Sequence, residues 1–107
     1  EPAHGEIATA NCLVLVTPDA QRTMATFIGA CSLVSESDID ERIISQSAIT
    51  YIEGYLWDTE HAKAAIRKAI GMAKKNDRKV AFTLSDTFCV ERHRSEFLAL
   101  VTRDVDI

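Results

Sequence analysis

The sequence predicts an α/β domain built on a partly parallel sheet and entered through a β-hairpin. Three observations carry this. An apolar run, Cys12 to Val16, is followed by a turn signal and a second extended stretch. From Ala48 onward, short apolar runs alternate with stretches of helical periodicity in the order β-α-β-α-β. Punctuation is sparse, with 4 Gly and 2 Pro in 107 residues and no repeat, low-complexity tract or Gly/Ser linker, which suits one compact unit.

The hairpin rests on CLVLV (12–16), whose β-branched members favour a strand. Thr17-Pro18-Asp19-Ala20 places Pro and Asp where a tight turn uses them. The second strand, within 21–29, sets Arg22, Met24, Thr26 and Ile28 on one face and Thr23, Ala25 and Phe27 on the other. Neither face is fully polar, which suits a hairpin lying against a ligand or another part of the chain. Ser35 to Glu41 reads as a helix start, with Ser37 as cap and Asp38, Asp40 and Glu41 as first-turn acids; that helix runs to about Gln46. Residues 48–53 form a strand ending at Gly54. Asp58 or Thr59 caps a long helix over about 60–75, whose apolar set Ala62, Ala65, Ile66, Ala69, Ile70 and Ala73 makes one buried face. Lys74, Lys75 and Arg78 complement the end of its dipole. Lys79 to Leu84 is a buried strand. Ser85-Asp86-Thr87 starts a further helix with Val90, Phe97, Leu98 and Val101 on one face, and Val105 to Ile107 opens one more strand. Ligands bind beyond the carboxyl ends of such parallel strands, here Glu53-Gly54-Tyr55 and Ser85-Asp86-Thr87.

Composition sets the function classes. With 47% apolar and 26% charged residues, the chain is an ordinary globular protein rather than a disordered tail or a disulfide-stapled mini-protein. Twelve basic against sixteen acidic residues leave a net charge of −4, the wrong sign for a general nucleic-acid or anionic-membrane binder. No apolar run approaches the roughly 20 residues that span a bilayer, and Glu1 to Glu6 lacks the pattern of a signal peptide. The three cysteines, Cys12, Cys31 and Cys89, are odd in number and share no metal-knuckle spacing. They read as buried, reduced thiols, which with the missing signal points to the cytoplasm. His4, His61 and His93 lack ligand-like spacing and read as surface histidines; no metal site is expected. Arg92 and Glu96 read as an i, i+4 pair on a solvated helix face, and a phosphate role for Arg92 or Arg94 is the alternative. A purely parallel sheet wants more strands and both faces covered, so the chain, which opens on Glu rather than Met, reads as a section of something larger.

The segment CLVLVTPDAQRTMATFIGA (12–30) resembles the lid region of ribokinase/PfkB-family kinases: a strand, a turn, an RTM-like strand and a closing Gly-Ala. Downstream, ITYIEGYLWD, the Ala/Lys-rich helix, KVAFTLSDTFCVERHRSEFLALV and VDI are similar in order and spacing to that family's central β-α-β-α-β stretch. The match runs from about residue 11 to 107. Leu84-Ser85-Asp86-Thr87-Phe88 is most similar to the adenosine-kinase-like branch, where sugar kinases tend toward an Asn-Pro or Asn-Arg pair. The resemblance implies a ribokinase-like, Rossmann-like, partly parallel three-layer sheet with a β-hairpin lid, incomplete in this chain: residues 1–30 as the lid region and 31–107 as the central α/β segment.

It also implies transfer of the ATP γ-phosphoryl group to the hydroxymethyl group of a nucleoside or sugar, with ATP and Mg2+ in the longer enzyme and neither bound by this chain alone. The family's Gly-Ala-Gly-Asp base motif, its Gly/Asp-rich substrate segment and its Asn-x-x-Glu motif are absent, so the chain by itself is expected to be inactive. Arg22 matches the lid arginine that reaches toward the transferred phosphate, where a cation neutralises charge on the phosphoryl group; a solvated strand arginine is the alternative. Met24, Thr26 and Ile28 match lid positions over the nucleoside, or pack the hairpin on the main domain. Phe88 matches an aromatic at the floor of the adenosine site, or packs in the core. Glu53 stands where some sugar kinases use an acid for hydroxyls, or is solvated. Asp86 caps the following helix. The implied partners are a nucleoside or sugar substrate, the remainder of the kinase chain, and a second copy through the lid; a non-catalytic α/β module that self-associates through the hairpin is the competing reading.

Overall fold

The computed structural model describes residues 6–107, so His4 lies outside the described residues. The chain divides into two compact units, residues 1–34 and 35–107.

The first unit is the expected hairpin. Strands β1 (Asn11–Val16) and β2 (Arg22–Phe27) pair antiparallel, with Val16 opposite Arg22 and Cys12 opposite Thr26. The turn closes through Thr17 N–H to the Gln21 carbonyl and Ala20 N–H to the Thr17 carbonyl, both 2.9 Å. The Asp19 carboxylate takes the Thr17 hydroxyl. Both strands are exposed along their whole length. Two of the three expected buried thiols are therefore not buried: Cys12 and Cys31 are exposed, and Cys89 alone is enclosed. A two-stranded hairpin has no second layer of its own to cover either face. Ile28 also leaves the shared face expected for it. Its backbone turns helical (φ −70°, ψ −34°), so the period-two alternation stops at Phe27.

The second unit carries the parallel sheet. Strands β3 (Ile49–Glu53) and β4 (Lys79–Thr83) pair in parallel, with Thr50 opposite Val80 and Ile52 opposite Phe82. Residues 105–107 extend the sheet by one ladder step: Ile107 N–H donates to the Val80 carbonyl (3.2 Å) and Phe82 N–H to the Ile107 carbonyl (3.0 Å). Helix α2 (Glu60–Lys75) buries all six expected apolar residues. With α3 (Thr87–Arg103), it covers the sheet face of Ile52 and Val80, and Phe97 meets Phe82 edge-on at 5.0 Å. The opposite face leaves Ile49 and Tyr51 exposed.

Three local expectations are corrected. Helix α1 (Glu41–Gln46) starts later than the acidic run suggested: Asp40 is its cap, accepting from Arg42 N–H at 2.8 Å, while Ser35 and Asp38 close a separate 3-10 turn over Glu36–Asp38. Neither expected residue caps α2 by its side chain, for Thr59 makes no such bond and Asp58 is engaged with α3. On α3 the buried residues are Cys89, Phe97 and Leu100, while Leu98 (64%) and Val101 (44%) stay exposed. The backbone is non-helical at His93 (φ −120°, ψ 17°), yet Cys89, Phe97 and Leu100 keep the i, i+8, i+11 spacing of one helical face.

The Asp86 cap is as expected: its carboxylate accepts from Cys89 N–H at 2.7 Å. Asp86→Ala is expected to lower stability by about 1 kcal/mol, read as a lower urea midpoint with unchanged slope. Asp86→Asn, which keeps an acceptor, should restore most of it.

Candidate functional site

The carboxyl ends of β3 and β4 are drawn together by one side chain. Ser85 lies in the turn leaving β4. Its Oγ donates to Glu53 Oε1 (2.5 Å) and accepts from Tyr55 N–H (3.0 Å). Tyr51, two residues before Glu53 and so on the same strand face, donates its hydroxyl to Glu53 Oε2 (3.2 Å). Gly54 between them is buried, and its carbonyl accepts from Cys89 Sγ at 3.4 Å. Burial pushes the Cys89 thiol up, and the Asp58 carboxylate adds to this, so it stays a neutral packing group. Loss of water and the Glu53 carboxylate raise the Tyr51 phenol; loss of water and the Asp86 carboxylate raise that of Tyr55. This is a half-buried carboxylate ringed by hydroxyl groups, chemistry suited to hydrogen-bonding polar hydroxyls.

A charged cluster ties the turn after β3 to α3. Asp58 holds His93 Nε2 at 2.7 Å and the Arg92 guanidinium at 3.2 Å. Glu96 takes the indole N–H of Trp57 and pairs with Lys63 at 3.1 Å. The expected pair of Arg92 with Glu96 is thus replaced by two longer-range pairs, and His93, at 14% side-chain exposure, is not a plain surface histidine. A cleft of about 540 Å³, lined in part by Trp57, Arg67, Gly71 and Glu96, opens between α2 and α3.

Both carboxyls titrate below their ordinary values. For Asp58 the His93 hydrogen bond dominates and the Arg92 charge adds; for Glu96 the Trp57 N–H leads and Lys63 follows. A carboxyl depressed by folding adds stability at pH values above its unfolded pKa, about 4, and loses it as pH falls through the folded value. The urea midpoint should therefore fall as pH drops below about 4. That slope should flatten in the Asp58→Asn, Glu96→Gln double variant, and an unchanged slope would remove these two groups from acid sensitivity.

The expected site residues fall in both units. Arg22, Met24 and Thr26 share one face of the hairpin with Val16, Val14 and Cys12, and Thr26 Oγ1 donates to Cys12 Sγ at 3.2 Å. Glu53 and Phe88 belong to the second unit. Phe88 is 71% exposed at the start of α3, which removes the core-packing alternative within this chain. Tyr51 was not expected; Tyr55 and Ser85 stood at the expected ligand-binding strand ends, without a role of their own. Tyr51 was readable from its i−2 spacing to Glu53, whereas nothing in the residue type marked Ser85. Among the described residues, no group of three or more His, Cys, Asp or Glu side chains could hold a metal ion. None of the described helices is long and apolar enough to cross a membrane.

No family model and no curated protein sequence matches the chain. Solved structures do. Adenosine kinase from Sinorhizobium meliloti is 47% identical with a TM-score of 0.84, covering 92% of this chain and 30% of its own length. A probable sugar kinase from Rhizobium etli CFN 42 is 41% identical with a TM-score of 0.84 over the same shares. A protein assigned as ribokinase II from E. coli, at 22% identity and a TM-score of 0.80, shares the fold over 94% of this chain and 34% of its own. The chain spans about a third of the length of these structures. The hairpin, the parallel β-α-β unit that follows it and these likenesses agree: over most of its length the chain matches a segment of ribokinase-like proteins, an adenosine kinase and a probable sugar kinase among them.

Proposed function

We propose that the chain is a segment of an ATP-dependent kinase that phosphorylates the hydroxymethyl group of a nucleoside, adenosine-like, or of a sugar. The observation that carries this reading is the 47% identity to an adenosine kinase over 92% of the chain. In this reading residues 1–30 form the lid region and 31–107 the central α/β segment. Arg22 offsets charge on the transferred phosphoryl group. Met24, Thr26 and Ile28 cover the acceptor, Phe88 packs against its base, and Glu53 accepts its hydroxyls. ATP and Mg2+ serve the longer protein; the E. coli ribokinase II protein has been solved with both. The Gly-Ala-Gly-Asp turn that the resemblance ties to the reaction is absent from the chain. That turn falls to the rest of the longer chain, and this chain alone does not turn over. The net charge of −4 disfavours nucleic-acid and anionic-membrane partners, and a cytoplasmic location fits the reduced thiols.

The test is γ-phosphoryl transfer from ATP by the full-length protein to adenosine, other nucleosides, ribose and fructose. Turnover on none of them overturns the proposal. In an active protein, Arg22→Ala should lower kcat about a hundredfold with the thermal midpoint unchanged, because Arg22 is exposed. An unaltered kcat would return Arg22 to the role of a solvated strand residue.

The exposed hairpin supports a second reading, self-association. Leu13, Leu15, Met24 and Phe27 are all at least half exposed, and open strand edges pair readily. Sedimentation of the full-length protein decides it: a dimer that dissociates on Leu13→Lys and Leu15→Lys supports pairing through the hairpin, and a monomer excludes it.

A further inference from the structure

Ser85 adopts a left-handed backbone conformation (φ 67°), which a residue with a Cβ adopts at a cost. Glycine would take this place without strain. Serine supplies what glycine lacks, a hydroxyl, and here the hydroxyl is fully used. It accepts the Tyr55 N–H (3.0 Å) and donates to Glu53 Oε1 (2.5 Å). Its own N–H is held by Thr83 Oγ1 at 3.3 Å. Backbone strain of this kind persists where the surroundings over-determine it, and such places cluster at functional sites.

Glu53 is the group this hydroxyl addresses. A carboxylate has about four lone-pair positions. Ser85 occupies one on Oε1 and Tyr51 one on Oε2, which leaves one on each oxygen. Two remaining acceptors on a fixed carboxylate match the two donors of a vicinal diol, the group that nucleosides and furanose sugars share. The carboxylate also stands at the carboxyl end of a parallel strand, where ligands of such sheets bind.

We infer that Ser85 is a positioning residue: its strained turn fixes the Glu53 carboxylate so that the carboxylate accepts the hydroxyl pair of the phosphate acceptor. The inference rests on the kinase reading above and adds to it the residue that sets acceptor affinity.

The test compares Ser85→Gly and Ser85→Ala in the full-length protein, with KM for adenosine, KM for ATP, kcat and thermal midpoint measured for each. Ser85→Gly removes the hydroxyl and relieves the strain; Ser85→Ala removes the hydroxyl and keeps the strain. Both should raise KM for adenosine about tenfold, the loss expected for one hydrogen bond to a charged group, and leave KM for ATP unchanged. The thermal midpoint should stay level or rise in Ser85→Gly and fall in Ser85→Ala. In a Glu53→Gln background neither change should raise KM for adenosine further. An acceptor KM within twofold of wild type in both variants overturns the inference while leaving the kinase reading intact. So does a full tenfold effect that persists beside Glu53→Gln. Wild-type protein without turnover on any acceptor overturns the kinase reading and this inference together.

Discussion

Trp57→Ala is expected to destabilise the protein by about 3–5 kcal/mol, the range for removing a buried aromatic. Trp57 is 1% exposed and is among the largest fully buried side chains of the core. Its ring meets Phe97 edge-on at 6.0 Å, and the Arg67 guanidinium lies 5.3 Å from its centroid. Its indole N–H is donated to Glu96, which also binds Lys63. Alanine would leave a void against Ile66, Ile70 and Phe97 and strip Glu96 of a donor in a half-buried place. Against a typical total of 5–15 kcal/mol, that loss moves the protein a large part of the way to unfolding. Trp57→Phe separates the causes: it keeps most of the packing and loses the N–H, and should cost about 1–2 kcal/mol. Because Trp57 is the sole tryptophan, unfolding is followed by far-ultraviolet circular dichroism rather than fluorescence. A loss under about 2 kcal/mol for Trp57→Ala would mean that the site collapses around the void.

What the sequence made legible follows the range of each signal. The α2 face repeats over four turns, and all six of its apolar residues are buried as its period requires. The Thr17-Pro18-Asp19-Ala20 turn and the Asp86 cap are decided by neighbours one to four residues away, and both were readable. The failures need information from farther off. The partner of Arg92 is Asp58, thirty-four residues earlier, and an i, i+4 rule has no means of choosing it over Glu96. On α3 Phe97 is buried as expected, but the rest of the stripe runs through Cys89 and Leu100 rather than Leu98 and Val101, and which of two overlapping apolar faces meets the sheet is decided by the sheet, not by the period. At the strand ends, the places of Glu53 and Ser85 at the carboxyl edge of the sheet were legible. The bond between them was not, because the left-handed turn at Ser85 is imposed by the segments it joins and serine is no marker of that conformation. Cys12 was misjudged for a related reason: an apolar run predicts burial, but within its own unit the hairpin has nothing to be buried against; Cys31 lies past the hairpin, in the 3-10 turn Gly29–Leu33, and is exposed there.

Glycine-to-alanine changes at two places should have opposite signs. At Gly54 an added Cβ would lie 2.7 Å from the Thr83 carbonyl oxygen, 2.8 Å from Ser85 Oγ and 3.2 Å from the Leu84 carbonyl carbon. Two of these are backbone atoms at the end of β4, so the strand ends must part to admit the methyl group. Overpacking of this kind costs about 1–3 kcal/mol, and the movement also loosens the Tyr55 N–H bond to Ser85 and the thiol bond of Cys89 to the Gly54 carbonyl. Gly71 lies inside α2 with nothing within 4 Å of the same position. There a methyl group meets no neighbour and reduces the backbone freedom of the unfolded chain, a gain of about 0.5–1 kcal/mol. Urea unfolding of the two variants reads both signs in one experiment: the midpoint falls for Gly54→Ala and rises for Gly71→Ala, with slopes like that of the wild type. Were Gly54→Ala as stable as wild type, the close approach of β3 and β4 at their carboxyl ends would be wrong. The hydroxyl network that fixes Glu53 depends on that approach and would have to be abandoned with it.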